Sequence, residues 1–381
     1  MDLRTLRRFF LPSRTIAAYM VKMHLSRFFG ILLGLTVVLL FLDLLANSDN
    51  VLDPEGATWV SLLSYIGLRG AQLVSQFLPF AVLLASLLTF ATLNQHSEVI
   101  IMKAAGMSAH NILLPLFLAS TMIAGFHFIF NETALVRSNA ELDYWRANDF
   151  AVDLPPNTAL AGRVWIKEGN QVILAESVNR VPGSVVLVKV SIYERDDAKR
   201  LTAMTRADLA LYQNGKWTLH DVRRFDTETH ELTVDDVKTW DTPTRPSRFQ
   251  ALTVNPKHVS LPTLWTSIER LDAEGIPTDR LMASFLQKIA GPASTLIMPL
   301  LAAIAAFGLH RAGSLALRIV IGMALGFSFF VADNFMLAMG EFGVAPPFLA
   351  AWAPFVLFVL LGYAVIFHTE EGHGKAVKNT P

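Results

Sequence analysis

Six stretches of the sequence are long and apolar enough to cross a lipid bilayer as helices, for which about 20 predominantly apolar residues are needed. They cover residues 28–45, 74–93, 111–130, 285–307, 317–339 and 348–367. Only 17% of the 381 residues are charged and 52% are hydrophobic, which is too apolar for a soluble domain of this length. The sequence therefore predicts a polytopic α-helical membrane protein with six transmembrane helices.

A polar region separates the third predicted span from the fourth and contains most of the charged residues. Several short runs in it alternate in the manner of β-strands, and the runs ALYQ and KWTL are joined by Asn214 and Gly215, which favour a type I′ hairpin turn. Strands at this spacing are typical of a sandwich or barrel-like β domain. We therefore divide the chain into residues 1–130 with spans one to three, a β domain at 131–280, and residues 281–381 with spans four to six.

Lysine and arginine residues in the short connections predict which side of the membrane each connection faces, because cytoplasmic loops are enriched in them. The first and fifth connections contain none. The amino-terminal segment, the second and fourth connections and the carboxy-terminal tail contain Arg4, Arg7, Arg8, Arg14, Lys22, Arg27, Lys103, Arg311, Arg318, Lys375 and Lys378. Both termini are therefore expected in the cytoplasm and the 131–280 domain on the opposite side.

The amino-terminal segment also mixes basic and apolar residues, which favours a helix lying along the cytoplasmic leaflet.

Several classes of chemistry are excluded by the motifs that the sequence lacks. The chain has no cysteine, which rules out disulfides, thiolate zinc sites and cysteine nucleophiles. It has no GxxxxGK[ST] loop for ATP and no HExxH motif, and its 10 histidines show no paired metal-ligand spacing. The net charge is zero, which gives no argument for binding nucleic acid. We expect no enzyme activity, no metal site and no cofactor in this chain.

Charged and amide side chains within the predicted spans are rare, and each is a candidate functional residue because such groups are costly in lipid. Asp43 lies at the outer end of the first span, where it either caps the span at the interface or takes part in a site. Asp333 and Asn334 lie in the fifth span. For these two, hydrogen bonding to a neighbouring helix and a role in transport are both open.

Three arginines lie close to the ends of spans, where a guanidinium could meet an anionic lipid headgroup. Arg69 precedes the second span, and a side chain that simply extends from the interface to water is an equally good interpretation. Arg137 and Arg146 lie on a polar helix that leaves the third span. For Arg137 we favour a solvated helix face over a lipid contact.

The connection between the second and third spans has a helical pattern of its own, in the segment SEVIIMKAAGMS at residues 97–108. Ser97 followed by Glu98 suits the amino terminus of a helix, and Gly106 can end the helix as a left-handed cap. One side of this helix is apolar and consists of Val99, Met102 and Ala105, with Ile101 and Ala104 close by. The helix is either an interfacial linker or a segment that docks into a groove of another protein, which needs apolar anchors and one well-placed charge.

The chain resembles the lipopolysaccharide export permease family LptF/LptG over nearly its whole length. The resemblance rests on the six spans, the β domain after span three, and SEVIIMKAAGMS, which is similar to the family's coupling segment. The stretches RVWIKEGNQVILAESV and FGLHRAGSLALRIVIGMALGFSFFVADN are more similar to the G-type than to the F-type subunit. The resemblance implies a bacterial inner-membrane protein with a periplasmic β-jellyroll-like domain that extracts lipopolysaccharide from the membrane and passes it toward the outer membrane.

The resemblance also implies partners and residue roles that composition and spacing do not show. The partners are an LptF-type second permease, an LptB-type ATPase dimer that holds ATP and Mg²⁺, an LptC-type single-span protein and an LptA-type periplasmic bridge, besides lipopolysaccharide and membrane lipids. The coupling helix at 97–108 would enter a groove of the ATPase through Glu98 as the key charge, with Val99, Ile101, Met102, Lys103, Ala105 and Gly106. Lipid contacts would come from Arg69, Arg146, Arg137 and Asp43.

One departure from the family pattern concerns lysines at the outer end of the first span, whose charge would attract lipid phosphates. Leu40, Ala46 and Asn47 stand where those lysines are expected. Either the lipid headgroup differs, or Arg69, Arg146 and the partner subunit bind it. A permease for another lipid and a non-transport scaffold that displays the β domain remain alternatives, as does a secondary transporter, which usually shows internal repeats.

Overall fold

The computed structural model describes residues 13–154, 164–181, 184–213, 215–246, 248–249, 254–273, 275–307 and 315–378. The chain forms two compact units, one from Met1–Leu142 with Asp279–Pro381 and the other from Asp143–Thr278. The first is helical and the second is built on a β-sheet. The units meet in sequence at residues 142–143, within a helix, whereas the predicted domain boundary lay at residue 131. Arg4, Arg7, Arg8, Asn214 and Arg311 lie outside the described residues.

The helices account for most of the predicted spans. In chain order they are α1 (Arg14–Leu52), α2 (Trp59–Gln95), α3 (Glu98–Ala104), α4 (Ala109–Phe130), a π-helical turn (Asn131–Leu135), α5 (Val136–Ala147), a 3₁₀ turn (Pro256–His258), α6 (Leu261–Ala273), α7 (Asp279–Ser294), α8 (Met298–Phe307), α9 (Leu315–Glu341) and α10 (Pro347–Lys378). Among the described residues, 5 helices are long and apolar enough to cross a membrane, or 6 if α7 and α8 together form one span.

The first helix is much longer than the predicted first span. α1 has 39 residues, which is about 58 Å at the usual rise of 1.5 Å per residue, against a hydrocarbon core of about 30 Å. The amino-terminal segment from Arg14 onward, predicted as an interfacial helix, is therefore continuous with the first span. A side-chain cap from Ser13, which accepts from the backbone N–H of Ile16, begins this helix.

The fourth predicted span is not one straight helix. α7 and α8 are bent by 43° relative to each other, with residues 295–297 between them. Pro299 has no N–H to donate to the carbonyl of Thr295, which explains why the helix is interrupted here. Three tight turns bridge the gap, in which the N–H groups of residues 295–297 donate to carbonyls three residues earlier.

The core of the helical unit is centred on α2, which packs against α1 on one side and α8 on the other. Small residues allow α9 to approach α2 closely. A Cβ atom at Gly322 would overlap the side chain of Leu87, and one at Gly326 would overlap Leu83. Larger residues at these two positions would therefore require Leu87 or Leu83 to change position, or α9 to shift.

The second unit contains a 6-stranded antiparallel sheet whose strands are neighbours in sequence order. The strands are β1 (Val164–Glu168), β2 (Gln171–Val181), β3 (Ser184–Arg195), β4 (Leu201–Gln213), β5 (Lys216–Asp226) and β6 (Leu232–Trp240). The predicted hairpin is confirmed, since Gln213 pairs with Lys216 and Gly215 has φ +82°. None of the pairings between described strands is of the crossover kind that a jelly roll contains, so the jelly roll stays a prediction.

One face of the sheet is covered by a buried apolar cluster around Trp217. Its indole N–H donates to the carbonyl of Thr244 at 2.8 Å, and its ring contacts Trp240 and Phe249. Elsewhere on the sheet Arg224 makes two hydrogen bonds to the Glu194 carboxylate, at 2.8 and 2.7 Å, and these raise the pKa of the guanidinium. The sheet therefore has a close-packed core of its own.

Candidate functional site: an exposed short helix and a polar layer in the helical unit

The short helix α3 lies between the two long helices α2 and α4, at the position of the predicted coupling segment. Its start differs from the prediction. Ser97 adopts a left-handed conformation with φ 57°, and its side chain makes no capping hydrogen bond. The predicted serine cap is therefore wrong, because Ser97 forms the turn at which the chain changes direction after α2. Glu98 remains in the first turn, where its charge suits the helix dipole.

The end of α3 follows the prediction. Gly106 has φ +85°, and its N–H donates to the carbonyl of Lys103 at 2.9 Å. The next N–H, of Met107, donates to the carbonyl of Met102 at 3.1 Å. This pair of bonds is the Schellman motif, which needs a residue that tolerates positive φ. The left-handed cap at Gly106 is thus confirmed.

The two sides of α3 have opposite environments. Val99 and Met102 are buried in the core of the helical unit. Ile100 and Ile101 are 65% and 64% exposed. On the exposed side they are joined by Ala104, Ala105 and Gly106, with Lys103 half-buried beside them. Val99 and Met102 are therefore not available to another protein, and the prediction that they form the docking face is wrong, because α3 needs them to pack onto its own chain.

Glu98 makes a specific contact with the amino-terminal part of α1. The Tyr19 hydroxyl donates to Glu98 Oε1 at 3.2 Å. A cavity of about 190 Å³ lies beside this bond. It is lined by Ile16, Tyr19, Met20, Leu93, Glu98, Ile101 and Met102. α3 is therefore joined to α1 by a polar bond next to unfilled space.

A polar layer crosses the helical unit between α1, α2 and α5. Arg69 pairs with Asp43, with Nε and Nη2 each 2.9 Å from Oδ1, and the Tyr65 hydroxyl donates to Oδ2 at 2.6 Å. The other Arg69 amino group donates to Gln72, whose amide donates to Asn139 at 2.8 Å. Arg69 is therefore bound by a carboxylate of its own chain, with a quarter of its side chain exposed.

A second pair of contacts joins α7 to its neighbours. The Lys288 ammonium lies 3.2 Å from Glu132 Oε1 on the π-helical turn, and both side chains are largely buried. The adjacent Gln287 donates to Asp333 Oδ2 on α9 at 2.8 Å. Of the two interpretations for Asp333, hydrogen bonding to a neighbouring helix is the one that the structure shows. Asn334 bonds the carbonyl of Phe330 on its own helix.

A buried histidine lies close to these two pairs. The Ser75 hydroxyl donates to Asn131 Oδ1 at 2.6 Å, which leaves its oxygen to accept from His127 Nε2 at 3.3 Å. The other ring nitrogen of His127 is 3.5 Å from the Thr295 hydroxyl, at the bend between α7 and α8. A cavity of about 190 Å³ opens beside these groups, lined among others by Pro79, Phe80, Pro292, Phe329 and Phe330.

The remaining predicted lipid-binding arginines differ from Arg69. Arg137 is exposed and pairs with Glu141 one turn along the same helix, at 3.0 Å, so its guanidinium already has a carboxylate partner. Arg146 is exposed, and it makes no ion pair with the residues that the structure describes. About two and a half turns of helix separate Arg137, which has a carboxylate partner, from Arg146, which is available to an anion.

Sequence reasoning missed several of the residues that make these polar contacts. Lys288 and Gln287 lie inside the predicted fourth span, where a lysine is itself a signal that the span faces the interior of the bundle. Tyr65 lies one helical turn before Arg69, so the two side chains share a face of α2. Nothing in the sequence indicated the contact of Tyr19, because its partner Glu98 is distant in sequence. Among the described residues no cluster of three metal-ligating side chains is found.

Span-length helices, a polar layer between them and a short helix with an exposed apolar side define a polytopic membrane protein with an inserted β-sheet unit. The chain belongs to the family described as lipopolysaccharide export system permease LptF/LptG, whose sequence model matches residues 18–368.

Curated relatives point to the same family. A protein of Haemophilus influenzae named lipopolysaccharide export system permease protein LptG is 26% identical over 351 residues, which is 91% of this chain and 96% of the relative. The LptG protein of Escherichia coli K12 is 26% identical over 336 residues, 87% of this chain and 91% of the relative. Both relatives are named as permeases, not as enzymes.

Proposed function

We propose that this chain is a G-type permease subunit of an ATP-driven lipopolysaccharide exporter in the bacterial inner membrane. The family match over nearly the whole chain supports the substrate and the permease role. The distribution of lysine and arginine supports an orientation in which both termini and α3 lie in the cytoplasm. The sheet unit then lies in the periplasm, where it would receive the lipid.

Energy for export would reach this chain through α3. The sequence has no P-loop, so ATP and Mg²⁺ would bind to a separate pair of ATPase subunits. The observation that carries this proposal is the exposed side of α3, where Ile100 and Ile101 stand out from the helical unit beside the half-exposed Glu98. Two apolar anchors and one carboxylate suit a groove that is apolar at its base and basic at its rim.

Lipid would move through a cavity shared with a second, F-type permease subunit. α1 presents a long apolar side that the other described residues do not cover, including Phe29, Leu33, Val37, Phe41 and Leu45. This side suits contact with lipid tails or with a partner helix. Lipopolysaccharide would enter between α1 and the partner's fifth span, and a single-span protein and a periplasmic bridge would carry it onward.

The arginines that meet the lipid headgroup would differ in how tightly they bind its phosphates. Arg146 is exposed and free of ion pairs among the described residues, so it can bind a phosphate directly. Arg69 is already bound to Asp43, so a phosphate would have to compete with that carboxylate. Arg137 has a partner in Glu141 and would contribute less.

The test of this proposal is to substitute Glu98 by Ala in the complex with its ATPase and permease partners, reconstituted in vesicles. We expect normal membrane insertion of the variant, with weaker ATPase retention or less lipid transferred per ATP hydrolysed. Ile101→Asp should have the same effect, since it places a charge in the apolar contact. Glu231→Ala, which also removes an exposed carboxylate, is the matched control and should behave as wild type. Normal assembly and transfer in both α3 variants would contradict the coupling role.

A further inference from the structure

The contact between α1 and α3 has features of a positioning device. Tyr19 lies in the second turn of α1, and its hydroxyl donates to the carboxylate of Glu98, the first residue of α3. The bond joins residues that are 79 positions apart in the sequence. It therefore links two separate elements and is no by-product of local helix geometry.

Packing alone does not fix the Glu98 side chain. The cavity of about 190 Å³ beside it shows that α3 is not close-packed against this part of α1. The preceding residue, Ser97, has left-handed backbone geometry and gives no side-chain cap. A glutamate side chain with several rotatable bonds would lose much rotamer freedom on binding a partner. A hydrogen bond from Tyr19 to Oε1 removes part of that freedom in advance.

The bond leaves the carboxylate able to bind another protein. An ionised carboxylate can accept about four hydrogen bonds, and the Tyr19 hydroxyl uses one of them on Oε1. Glu98 is still half-exposed, so a cationic group of a partner can reach it. Because Tyr19 binds one oxygen of the carboxylate and leaves the other for a partner, the carboxylate is already oriented when the partner binds.

We propose that Tyr19 is a positioning residue for Glu98, and that it ties α3 to the amino-terminal end of α1. The proposal rests on the coupling role of α3 given above and adds the path by which α3 acts on the rest of the chain. Because α1 is a single helix from Arg14 to Leu52, a displacement of α3 is passed to the same helix that carries Asp43. Asp43 lies about 36 Å further along the helix axis at 1.5 Å per residue.

A second contact at the same end of α1 supports this path. The Arg27 guanidinium donates to the Thr92 hydroxyl near the end of α2 at 2.9 Å. α1 is thus held both to α3 and to the carboxy-terminal end of α2, the two elements on either side of the turn at Ser97. Movement of α3 relative to α2 therefore changes the position of α1.

The experiment uses Tyr19→Phe, which keeps the ring and removes only the hydroxyl. In the reconstituted complex we expect unchanged assembly and about threefold less lipopolysaccharide transferred per ATP hydrolysed, the low end of the effect of one net hydrogen bond, since this bond is exposed to solvent. Tyr363→Phe is the matched control, since Tyr363 is exposed on α10 and has no hydroxyl hydrogen bond among the described residues. Wild-type coupling in Tyr19→Phe would overturn the proposal.

A double-mutant cycle separates positioning from a general structural role. If Tyr19 acts through Glu98, the combination of Tyr19→Phe with Glu98→Gln should be no worse than Glu98→Gln alone. Effects that multiply would refute the positioning role while leaving α3 as the coupling helix. If Glu98→Gln itself is without effect on coupling, the charge of Glu98 plays no part and the positioning role fails, whereas the coupling role of α3 fails only if Glu98→Ala and Ile101→Asp also behave as wild type.

Discussion

The ion pair between Asp43 and Arg69 gives the sharpest prediction about stability. Arg69 makes two contacts of 2.9 Å to Asp43 Oδ1, and Tyr65 adds a bond of 2.6 Å to Oδ2. The side chains of Arg69 and Asp43 are 25% and 14% exposed. Breaking a fully buried pair costs about 3–5 kcal/mol, and an exposed pair contributes about 0–1 kcal/mol. A pair of intermediate burial should lie between these values, so Asp43→Asn should cost about 2 kcal/mol.

The assay is a comparison of apparent melting temperatures for the purified full chain in one detergent at one scan rate, because unfolding of such proteins is often irreversible. We expect Asp43→Asn and Arg69→Gln each to lower the melting temperature by several degrees. The double variant should be less destabilised than the sum of the two, since neither charge is then left without its partner. Arg137→Gln, which breaks the exposed pair with Glu141, should change little. Full additivity of the two single effects would refute the reasoning.

Two further predictions concern the Lys288–Glu132 pair and Arg146. Lys288→Met should destabilise the chain by about 3 kcal/mol, because it removes the ammonium group that pairs with the largely buried Glu132. Lys189→Met should have almost no effect, since its pair with Glu176 is exposed, and equal melting temperatures for the two variants would contradict this reasoning. Arg146→Gln should weaken crosslinking of the chain to lipopolysaccharide more than Arg69→Gln does, since Arg69 is paired with Asp43 and Arg146 has no ion pair among the described residues. Unchanged crosslinking in both variants would exclude Arg146 and Arg69 as headgroup contacts.

Sequence patterns predicted the elements that depend on local chemistry. Span-length apolar runs located the long helices, and Asn214–Gly215 located the hairpin between β4 and β5. The left-handed cap at Gly106 was also predicted, because only a few residue types tolerate positive φ. These features follow from properties of neighbouring residues, so a single sequence contains the information.

Features that depend on which residues meet in space were not predicted. The sequence shows Val99, Ile100, Ile101 and Met102 as equally apolar, and only packing decides that Val99 and Met102 face inward. Arg69 was expected at an interface, since nothing near it in sequence shows that Asp43 lies within reach.

The pair between Lys288 and Glu132 was missed for the same reason. Lys288 and Glu132 are 156 positions apart, and neither residue predicts the other. The interruption between α7 and α8 was overlooked because an apolar run gives the same hydropathy whether or not the helix is broken at Pro299. Within a membrane protein, polar residues inside spans are therefore better guides to interior contacts than hydropathy is.

The most direct test of the account is lipid transfer driven by ATP. The chain is reconstituted with its permease partner and ATPase in vesicles that contain lipopolysaccharide, and the lipid released to a soluble periplasmic acceptor is measured after ATP is added. We predict release that depends on ATP, that falls when Glu98 is replaced by Ala, and that is absent when this chain is left out. ATP-independent release, or equal release without this chain, would contradict the assignment of this chain as a subunit of an ATP-driven lipopolysaccharide exporter.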